Sequence, residues 1–321
     1  MPFELPPRLP YNEPVSNDAN DSVNASTRYC AVFGHPIRHS ASPAMQNAGL
    51  AALGLNWRYL AFDVHPDHLR PALEGARRMG FIGLNLTVPH KLLALEMVDV
   101  VDGQARAWGA VNTVVFEARD PSGQWAPVGT FDTPPCGETR SRGFNTDADA
   151  IVQALLDGFD LDTLRGGTIL LLGAGGAARA AGLRLAREGL AALYLVNRTR
   201  SRAAELAAEI AKSCPGARIV QGYPSESVDL VINATSLGLN ADDPLPIDPQ
   251  WLETHRPKFV FDMIYRPMET GLLRAARTEG CRVVNGAGML LHQGTRALEL
   301  WTGRPAPVEV MRAALEKNLY E

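Results

Sequence analysis

The sequence predicts an α/β protein with two domains built on parallel sheets. Short apolar runs alternate with helical stretches in two series, one beginning at Tyr29 and the other at Thr168. Strands that alternate with helices are typical of parallel βαβ units. The second series also carries a glycine-rich turn between a strand and a helix, which is typical of a dinucleotide-binding domain. A chain of 321 residues, 46% of them hydrophobic, is long enough for two such domains.

The first series opens with the apolar run Tyr29–Phe33, which Gly34 ends. Ser42-Pro43 has the form of an N-cap followed by proline at the first helical position, and it predicts a helix that ends near Gly54. The further expected elements are a strand at Trp57–Phe62, a helix at Pro66–Met79, a strand at Ile82–Leu86, a helix from about Lys91 and a strand at Val111–Phe116.

Two segments fall outside this alternation. Residues 118–142 are dense in Pro, Gly, Ser and Thr, and we interpret them as a long surface loop before the helix that follows Asn145. Residues 1–28 are rich in Pro, Asn, Asp and Ser and lack the apolar stretch of a signal peptide. They predict a disordered lead-in.

The second series continues to the end of the chain. Its predicted strands are Thr168–Leu172, Leu193–Val196, Arg218–Gln221, Leu230–Ile232, Phe259–Asp262 and Arg282–Val284. A helix is expected at about Ser201–Lys212, and two more close the chain at about Gly288–Trp301 and Val308–Leu319.

The composition argues against several classes of protein. The net charge is −4 and no stretch concentrates Lys and Arg, so neither a nucleic-acid nor a membrane partner is expected. The four cysteines are scattered without a CxxC pair, which favours free thiols over disulfides or a metal site. We therefore expect a cytoplasmic protein that binds small molecules, as a monomer or a homodimer.

The glycine-rich turn reads Gly173-Ala174-Gly175-Gly176-Ala177-Ala178. Gly173 permits a tight turn, Gly175 lets the backbone approach a pyrophosphate, and Ala178 allows the helix to pack closely on the strand. The N-terminus of that helix offers unpaired N–H groups to the phosphate. Tight packing without a ligand is the alternative, but the strand–turn–helix context favours cofactor binding.

The segment after the next strand indicates which cofactor binds. It reads Asn197-Arg198-Thr199-Arg200-Ser201-Arg202, where NAD sites usually place an acidic residue for the ribose 2′-hydroxyl. Guanidinium groups such as those of Arg198 and Arg202 bind a 2′-phosphate instead, with Thr199 as a further donor. A solvated basic face is the alternative, but arginine at a helix N-terminus opposes the helix dipole. The sequence favours NADP.

Two residues are candidates for acid–base chemistry. Lys91 follows a strand and a proline turn, where α/β sheets expose their ligand-binding edge, and Asp147 stands at the start of a predicted helix. A ketone–alcohol hydride transfer needs such a group to protonate the developing alkoxide. From the residues alone, a surface charge or a helix cap is the better interpretation of each.

Nine motifs in order resemble those of the shikimate dehydrogenase family from Tyr29 onward. They are Gly34-His-Pro-Ile-Arg-His-Ser40-Ala-Ser42-Pro43, Asn85-Leu-Thr87-Val-Pro-His-Lys91, Gly109-Ala-Val-Asn112-Thr113, Asn145-Thr-Asp147, Gly173-Ala-Gly-Gly-Ala, Asn197-Arg-Thr, Asn233-Ala-Thr-Ser, Asp262-Met-Ile-Tyr265 and Gly288-Met-Leu-Leu-His-Gln293. The resemblance implies a substrate domain at 29–147, a Rossmann-type NADP domain at 148–286 and C-terminal helices at 287–321 that return to the first domain.

The resemblance also implies the roles of individual residues. Lys91 and Asp147 would form the catalytic pair in the cleft between the domains. The substrate would be held by Ser40, Ser42, Asn85, Thr87, Asn112, Tyr265 and Gln293. The phosphate clamp would comprise Asn197, Arg198, Thr199 and Arg202, and the nicotinamide side would be lined by Met263, Gly286 and Met289. Plain helix core is an equal interpretation of Met289.

The implied activity is the NADPH-dependent, reversible reduction of 3-dehydroshikimate to shikimate. The alternatives are a quinate/shikimate or aminoshikimate dehydrogenase and, from another class, a non-catalytic NADP-binding sensor. The chain departs from the family pattern in residues 1–28, in residues 118–142 and at Ala150, where glycine is usual. These departures bear on the choice of substrate more than on the chemistry.

Overall fold

The computed structural model describes residues 23–321, so most of the predicted lead-in, residues 1–22, lies outside the described part. The rest of that lead-in is ordered, contrary to the expectation for 1–28. Residues 24–27 form a turn in which the Thr27 backbone N–H donates to Asn24 O at 3.0 Å, and Thr27 Oγ1 donates to Asn56 Oδ1 at 2.9 Å. Side-chain hydrogen bonds to the start of the second strand therefore fix a polar segment that composition alone marks as disordered.

The first sheet is mixed, not wholly parallel. Its strands are β1 (Arg28–Gly34), β2 (Trp57–Asp63), β3 (Gly83–Leu86), β4 (Val100–Val101), β5 (Thr113–Arg119), β6 (Trp125–Pro127) and β7 (Thr139–Phe144), in the order β2-β1-β3-β5-β7-β4 with β6 beside β5. β1 pairs in parallel with β2 and β3, but β5 runs antiparallel to β3, β6 and β7. The chain between β5 and β7 contains no α-helix for a crossover, so it turns back and pairs antiparallel.

The predicted loop at 118–142 is wrong, because this segment holds the end of β5, all of β6 and the start of β7. Trp125 stacks between two guanidinium groups, with Arg119 Cζ 4.3 Å and Arg140 Cζ 4.2 Å from its ring centroid. Arg140 Nε also donates to Glu117 Oε2 at 2.6 Å. Charged and aromatic side chains stabilise these strands, so they carry no apolar alternation.

Helices from both ends of the chain cover the first sheet. They are α1 (Ser42–Ala52), α2 (Leu69–Arg78), α3 (His90–Leu93), α4 (Gly103–Trp108), α10 (Ala287–Thr302) and α11 (Val308–Tyr320). Trp301 of α10 is fully buried in the core of this sheet, and its Nε1 donates to Val114 O at 3.0 Å. The C-terminal helices thus pack on the strands formed by residues 28–144.

The second sheet is entirely parallel. Its strands are β8 (Thr168–Leu172), β9 (Ala192–Val196), β10 (Ile219–Gln221), β11 (Leu230–Asn233), β12 (Phe259–Asp262) and β13 (Arg282–Val284), and its helices are α5 (Asp147–Phe159), α6 (Gly176–Leu185), α7 (Arg200–Ser213), α8 (Pro249–His255) and α9 (Gly271–Thr278). The strand order β10-β9-β8-β11-β12-β13 is the doubly wound order of dinucleotide-binding sheets. Ligands bind such sheets where the order reverses, at the carboxyl ends of β8 and β11.

Among the described residues, no helix is long and apolar enough to cross a membrane. The same part of the chain contains no group of three or more His, Cys, Asp or Glu residues suited to a metal ion.

Candidate active site

A cavity of about 180 Å³ lies where the first sheet faces the second. Its wall combines the turn after β1, the end of β3, the start of α3, the start of α5, the residues after β12 and one side chain from α10. The polar residues on this wall are His39, Ser40, Ser42, Asn85, Thr87, Lys91, Asp147, Tyr265 and Gln293. Except for Asn112, every residue that the sequence nominated for substrate or catalysis lies on it.

Lys91 and Asp147 meet in this wall although 56 residues separate them in sequence. Lys91 Nζ donates to Asp147 Oδ2 at 2.7 Å, and the exposed fractions of their side chains are 32% and 13%. The Lys91–Asp147 pair presents a half-buried ammonium group to the cavity, with its carboxylate partner fixing the direction of the amine. Such a group can give a proton to an oxygen atom inside the cavity.

Buried amides hold Lys91 and the turn that bears Asp147 in place. Asn145 Nδ2 donates to Ala110 O at 3.0 Å, and Asn145 Oδ1 accepts from Ala148 N at 3.0 Å, which anchors the first turn of α5. One residue further along, Val111 N donates to Lys91 O at 2.9 Å. The segment after α4 therefore contacts the backbone of Lys91 directly and the first turn of α5 through Asn145.

Asn112 lies behind the cavity and not on its wall. It is 1% exposed, its Oδ1 accepts from Thr146 N at 2.7 Å, and its Nδ2 donates to Thr146 Oγ1 at 2.9 Å. Because Thr146 directly precedes Asp147, these bonds fix the backbone from which the Asp147 carboxylate projects. The substrate contact expected for Asn112 is not among the contacts that the wall provides.

Sequence reasoning missed Tyr59, which fixes the amide of Asn85. The buried Tyr59 hydroxyl donates to Asn85 Oδ1 at 2.8 Å, and Asn85 Nδ2 donates to Thr113 Oγ1 at 3.0 Å and to Asn112 O at 3.3 Å. Both amide hydrogens are thus engaged within the protein, which leaves the remaining lone pair of Oδ1 as an acceptor. Burial raises the pKa of Tyr59 well above its usual value, so its hydroxyl stays a donor. The signal in the sequence was the place of Tyr59 in a predicted strand, where an inward-facing tyrosine needs a buried partner for its hydroxyl.

His39 was also not nominated, although it stands in the first of the nine motifs. It is exposed and lies on the cavity wall. Together with Lys91 and Asp147, it completes the ionisable side chains there apart from the hydroxyl of Tyr265.

The N-terminus of α1 opens onto the same cavity. Ala41 is its N-cap residue and supplies no side-chain cap, while Ser40 and Ser42 flank it with hydroxyl groups. Helix N-termini favour anions because their N–H groups are unpaired and the helix dipole is positive there. The two hydroxyls and the helix end form a subsite suited to a carboxylate.

The glycine-rich turn lies at the carboxyl end of β8, where the strand order reverses. Gly173 has a φ of +113°, a conformation that side-chain-bearing residues rarely adopt, and its N–H donates to Val196 O at 2.8 Å. Gly175 and Gly176 are exposed, and a Cβ at either would meet no atom within 4 Å. Helix α6 starts here without a side-chain cap, and Ala174 and Ala177 flank this open surface. The turn fits a phosphate group that approaches the backbone.

The arginine segment follows β9, the direct neighbour of β8. Asn197 Nδ2 donates to Thr199 O at 2.9 Å and shapes the turn before α7. Arg198 and Arg202 are exposed, and within residues 23–321 neither side chain has a hydrogen-bond or ion-pair partner. Two free guanidinium groups beside the glycine turn fit the 2′-phosphate of NADP.

The residues expected beside the nicotinamide have mixed surroundings. Met263 lines a cleft of about 1020 Å³, which shares Pro36, His39 and Tyr265 with the smaller cavity, so the two spaces adjoin. Gly286 is buried, and a methyl group there would overlap Met263 O, so close packing alone accounts for this glycine. Met289 is half-buried against the core of the second sheet.

A buried carboxylate supports the loop ends beside this cleft. Asp262 Oδ1 accepts from Asn233 Nδ2 and from Ile264 N, both at 3.0 Å, and its Oδ2 accepts from Thr270 Oγ1 at 2.7 Å. Burial raises the pKa of Asp262, and its three donors oppose that rise. The network fixes the carboxyl ends of β11 and β12, where the motifs beginning at Asn233 and Asp262 stand.

Three family descriptions match successive parts of this chain. Residues 32–114 match the shikimate dehydrogenase substrate binding domain, residues 157–262 match shikimate / quinate 5-dehydrogenase, and residues 286–316 match the shikimate 5′-dehydrogenase C-terminal domain. A curated relative from Moorella thermoacetica, named shikimate dehydrogenase (NADP(+)), is 44% identical over 307 residues, which cover 92% of this chain and 95% of that protein.

Solved structures are similar over the same extent. A shikimate dehydrogenase in complex with NADP+ has a TM-score of 0.79 and 33% identity, covering 94% of this chain and 98% of that one. The enzyme from Thermus thermophilus in complex with NADP(H) and shikimate has a TM-score of 0.74 and 36% identity, covering 91% of this chain and 100% of that one.

Proposed function

This chain belongs to the shikimate dehydrogenase family, and we propose that it catalyses the reversible, NADPH-dependent reduction of 3-dehydroshikimate to shikimate. The observation that carries the proposal is the catalytic pair, with Lys91 Nζ 2.7 Å from Asp147 Oδ2 on the wall of a polar cavity. A proton donor on a cavity that adjoins the cleft lined by Met263, where the nicotinamide is expected, suits the reduction of a ring ketone.

The cavity suits a small, polyhydroxylated ring acid. Its volume of about 180 Å³ admits a single ring, and neutral hydroxyl and amide groups predominate among its polar side chains. The carboxylate is assigned to Ser40 and Ser42 at the N-terminus of α1, where hydroxyl donors and the helix dipole stabilise an anion. Asn85 Oδ1 accepts a hydrogen bond from a ring hydroxyl. Thr87, Tyr265 and Gln293 complete the substrate-binding set.

The chain's own residues handle the proton. Lys91 donates a proton to the carbonyl oxygen as that oxygen becomes a hydroxyl, and Asp147 holds the ammonium group in position. In the reverse direction the neutral amine accepts the same proton. When bound, NADPH supplies the hydride. The turn at residues 173–177, with Arg198, Thr199 and Arg202, holds its phosphates.

The arginine segment favours this activity over that of an NAD-using quinate dehydrogenase. An NAD site would place a carboxylate after β9 for the ribose hydroxyls, but this chain has Asn197 and the free guanidinium groups of Arg198 and Arg202 there. An aminoshikimate dehydrogenase shares the catalytic pair, so only a comparison of turnover on shikimate and aminoshikimate distinguishes the two activities. A non-catalytic NADP sensor has no need of a catalytic pair.

The test is a spectrophotometric assay of NADPH formation from shikimate, with quinate and NAD+ as comparison substrates. In Lys91→Ala, turnover falls by about 10² to 10⁴-fold, the usual contribution of a positioned acid or base, while the dissociation constant for NADPH stays within about threefold of wild type. Lys212→Ala, at an exposed position in the last turn of α7, is the matched control and keeps wild-type turnover. No oxidation of shikimate by the wild-type protein, or equal turnover in Lys91→Ala, would contradict the proposal.

Two further properties belong to the same proposal. Cys30, Cys136, Cys214 and Cys281 are free thiols, which suits a reducing compartment such as the cytoplasm. The oligomeric state is either monomer or homodimer, and light scattering after size exclusion decides between them.

A further inference from the structure

We infer that Arg179 is a positioning residue that fixes the catalytic pair relative to the cofactor-binding turn. The inference rests on the proposed function, because it concerns the geometry of hydride transfer in that site. It goes beyond the site itself, since Arg179 lies on neither the substrate cavity nor the adjoining cleft.

Arg179 lies in the first turn of α6, the helix whose N-terminus receives the cofactor phosphates. Its backbone N–H donates to Gly175 O at 2.8 Å, within the turn itself. Its side chain extends from α6 toward α4, where Nη1 donates to the backbone carbonyl of Trp108 at the end of that helix. On its other edge the guanidinium pairs with Glu209 of α7, with Nε 3.0 Å from Glu209 Oε2.

The neighbouring residue, Gly109, is shaped to receive this guanidinium. It has a φ of +63° as the C-cap of α4, and a methyl group there would overlap the guanidinium of Arg179. Any other residue at this position would therefore push the arginine away as well as strain the backbone. We call Trp108, Gly109 and Arg179 the α4–α6 latch.

Trp108 anchors the latch on the second sheet. Its side chain is 2% exposed and packs in the core of that sheet, although α4 belongs to the chain segment that builds the first. The guanidinium of Arg187, just after α6, lies 4.2 Å from the centre of the Trp108 ring. Arg179 of α6 and Arg187 just after it therefore contact the backbone and the ring of the same residue.

The latch leads directly to the catalytic pair. Ala110 O accepts from Asn145 Nδ2, which anchors the turn bearing Asp147, and Val111 N donates to Lys91 O. These two residues follow Gly109 without a break. The segment Trp108–Val111 and its hydrogen bonds thus join the helix that receives the cofactor to the backbone of Lys91 and, through Asn145, to the first turn of α5, which bears Asp147.

This arrangement predicts a defect in geometry and not in affinity when the latch is broken. A misplacement of about 1 Å can cost about 10²-fold in rate. Substrate and cofactor keep their own contacts, so their binding changes little.

The experiment measures hydride transfer in a single turnover, with enzyme and NADPH in excess over 3-dehydroshikimate, by the loss of NADPH absorbance. In Arg179→Ala the rate constant falls at least tenfold, while the dissociation constant for NADPH stays within about threefold of wild type. Arg179→Lys restores part of the rate, since its ammonium group is still a donor on the side of Trp108 O. Glu209→Gln, which alters only the pair between α6 and α7, stays within about threefold of wild type in both measurements.

Gly109→Ala provides an independent variant if Arg179→Ala does not fold, because it displaces the guanidinium without removing it. It also lowers the rate constant at least tenfold. A smaller fall in the folded latch variants, or an equal fall in Glu209→Gln, overturns the positioning role. If the wild-type protein itself does not oxidise NADPH with 3-dehydroshikimate, the proposed function fails instead, so the two failures are distinct.

Discussion

Removing the two free arginines after β9 should change the cofactor preference of the enzyme. Arg198 and Arg202 have no partner within residues 23–321, so neither must leave an existing ion pair to bind a phosphate. The perturbations are Arg198→Ala, Arg202→Ala and the double variant. Only NADP+ carries the 2′-phosphate, so NAD+ serves as an internal reference for every variant.

The expected magnitude follows from the exposure of both side chains. A hydrogen bond to a charged group contributes about 1.5–3 kcal/mol, and exposed positions favour the lower half of that range. Each single variant should therefore raise the KM for NADP+ by about 10 to 40-fold, since 1.4 kcal/mol corresponds to about tenfold. The double variant should show less than the product of the two factors, because both groups bind one phosphate.

The assay compares kcat/KM for NADP+ and NAD+ with saturating shikimate. The values for NAD+ should stay within about twofold of wild type. Arg200→Ala is the matched control: residues two positions apart on a helix point to different sides, so Arg200 faces away from Arg202. An equal loss with both cofactors, or a loss in Arg200→Ala as large as in Arg202→Ala, would refute the 2′-phosphate contact.

Three other predictions concern the support of the site. Asn112→Ala should lower kcat by a larger factor than it raises the KM for shikimate, and an unchanged kcat would contradict this. It should also lower the free energy of unfolding in urea by about 1–3 kcal/mol, because Thr146 N loses its buried acceptor. Trp301→Phe should lower the free energy of unfolding by about 1–3 kcal/mol, since Val114 O loses its buried donor. An unchanged midpoint of urea unfolding would show that this hydrogen bond does not stabilise the fold. Burial lowers the pKa of His90 in the folded protein, so below about pH 6.5 the unfolded chain binds a proton at this residue more readily than the folded chain does. The free energy of unfolding should therefore fall as the pH drops below about 6.5, by at most about 1.4 kcal/mol per pH unit. Thermal unfolding from pH 7.5 to 5 should show a shallower acid loss in His90→Gln than in wild type; identical slopes would contradict it.

The regular parts of the second sheet could be predicted from sequence because apolar content alone identifies buried parallel strands. β8 coincides with the predicted strand Thr168–Leu172, and the glycine turn follows it directly. The first sheet was harder, since β7 reads Thr-Arg-Ser-Arg-Gly-Phe and is held by the Glu117–Arg140 pair and by stacking on Trp125. Interactions of this kind depend on partners in other strands, which periodicity does not reveal.

The candidate site shows the same division. The motifs nominated the residues on the cavity wall, but the approach of Lys91 to Asp147 depends on how α3 and α5 meet across 56 residues. The sequence does not indicate which end of the Asn85 amide faces the cavity; the hydrogen bond from the Tyr59 hydroxyl to Asn85 Oδ1 fixes its orientation. Asn112 was assigned to the substrate by the family resemblance, and the structure shows in addition that its amide is paired with Thr146, a contact that the motif does not reveal.

The return of α10 and α11 to the first sheet has a consequence for synthesis on the ribosome. The strands of that sheet emerge first, but Trp301, which packs in its core beside Val114, emerges only after every strand of the second sheet. The middle of the chain can complete its own sheet earlier, because all of its strands precede Asn285. The half that is translated first is therefore the half that must wait to finish folding, with part of its apolar face uncovered until α10 emerges.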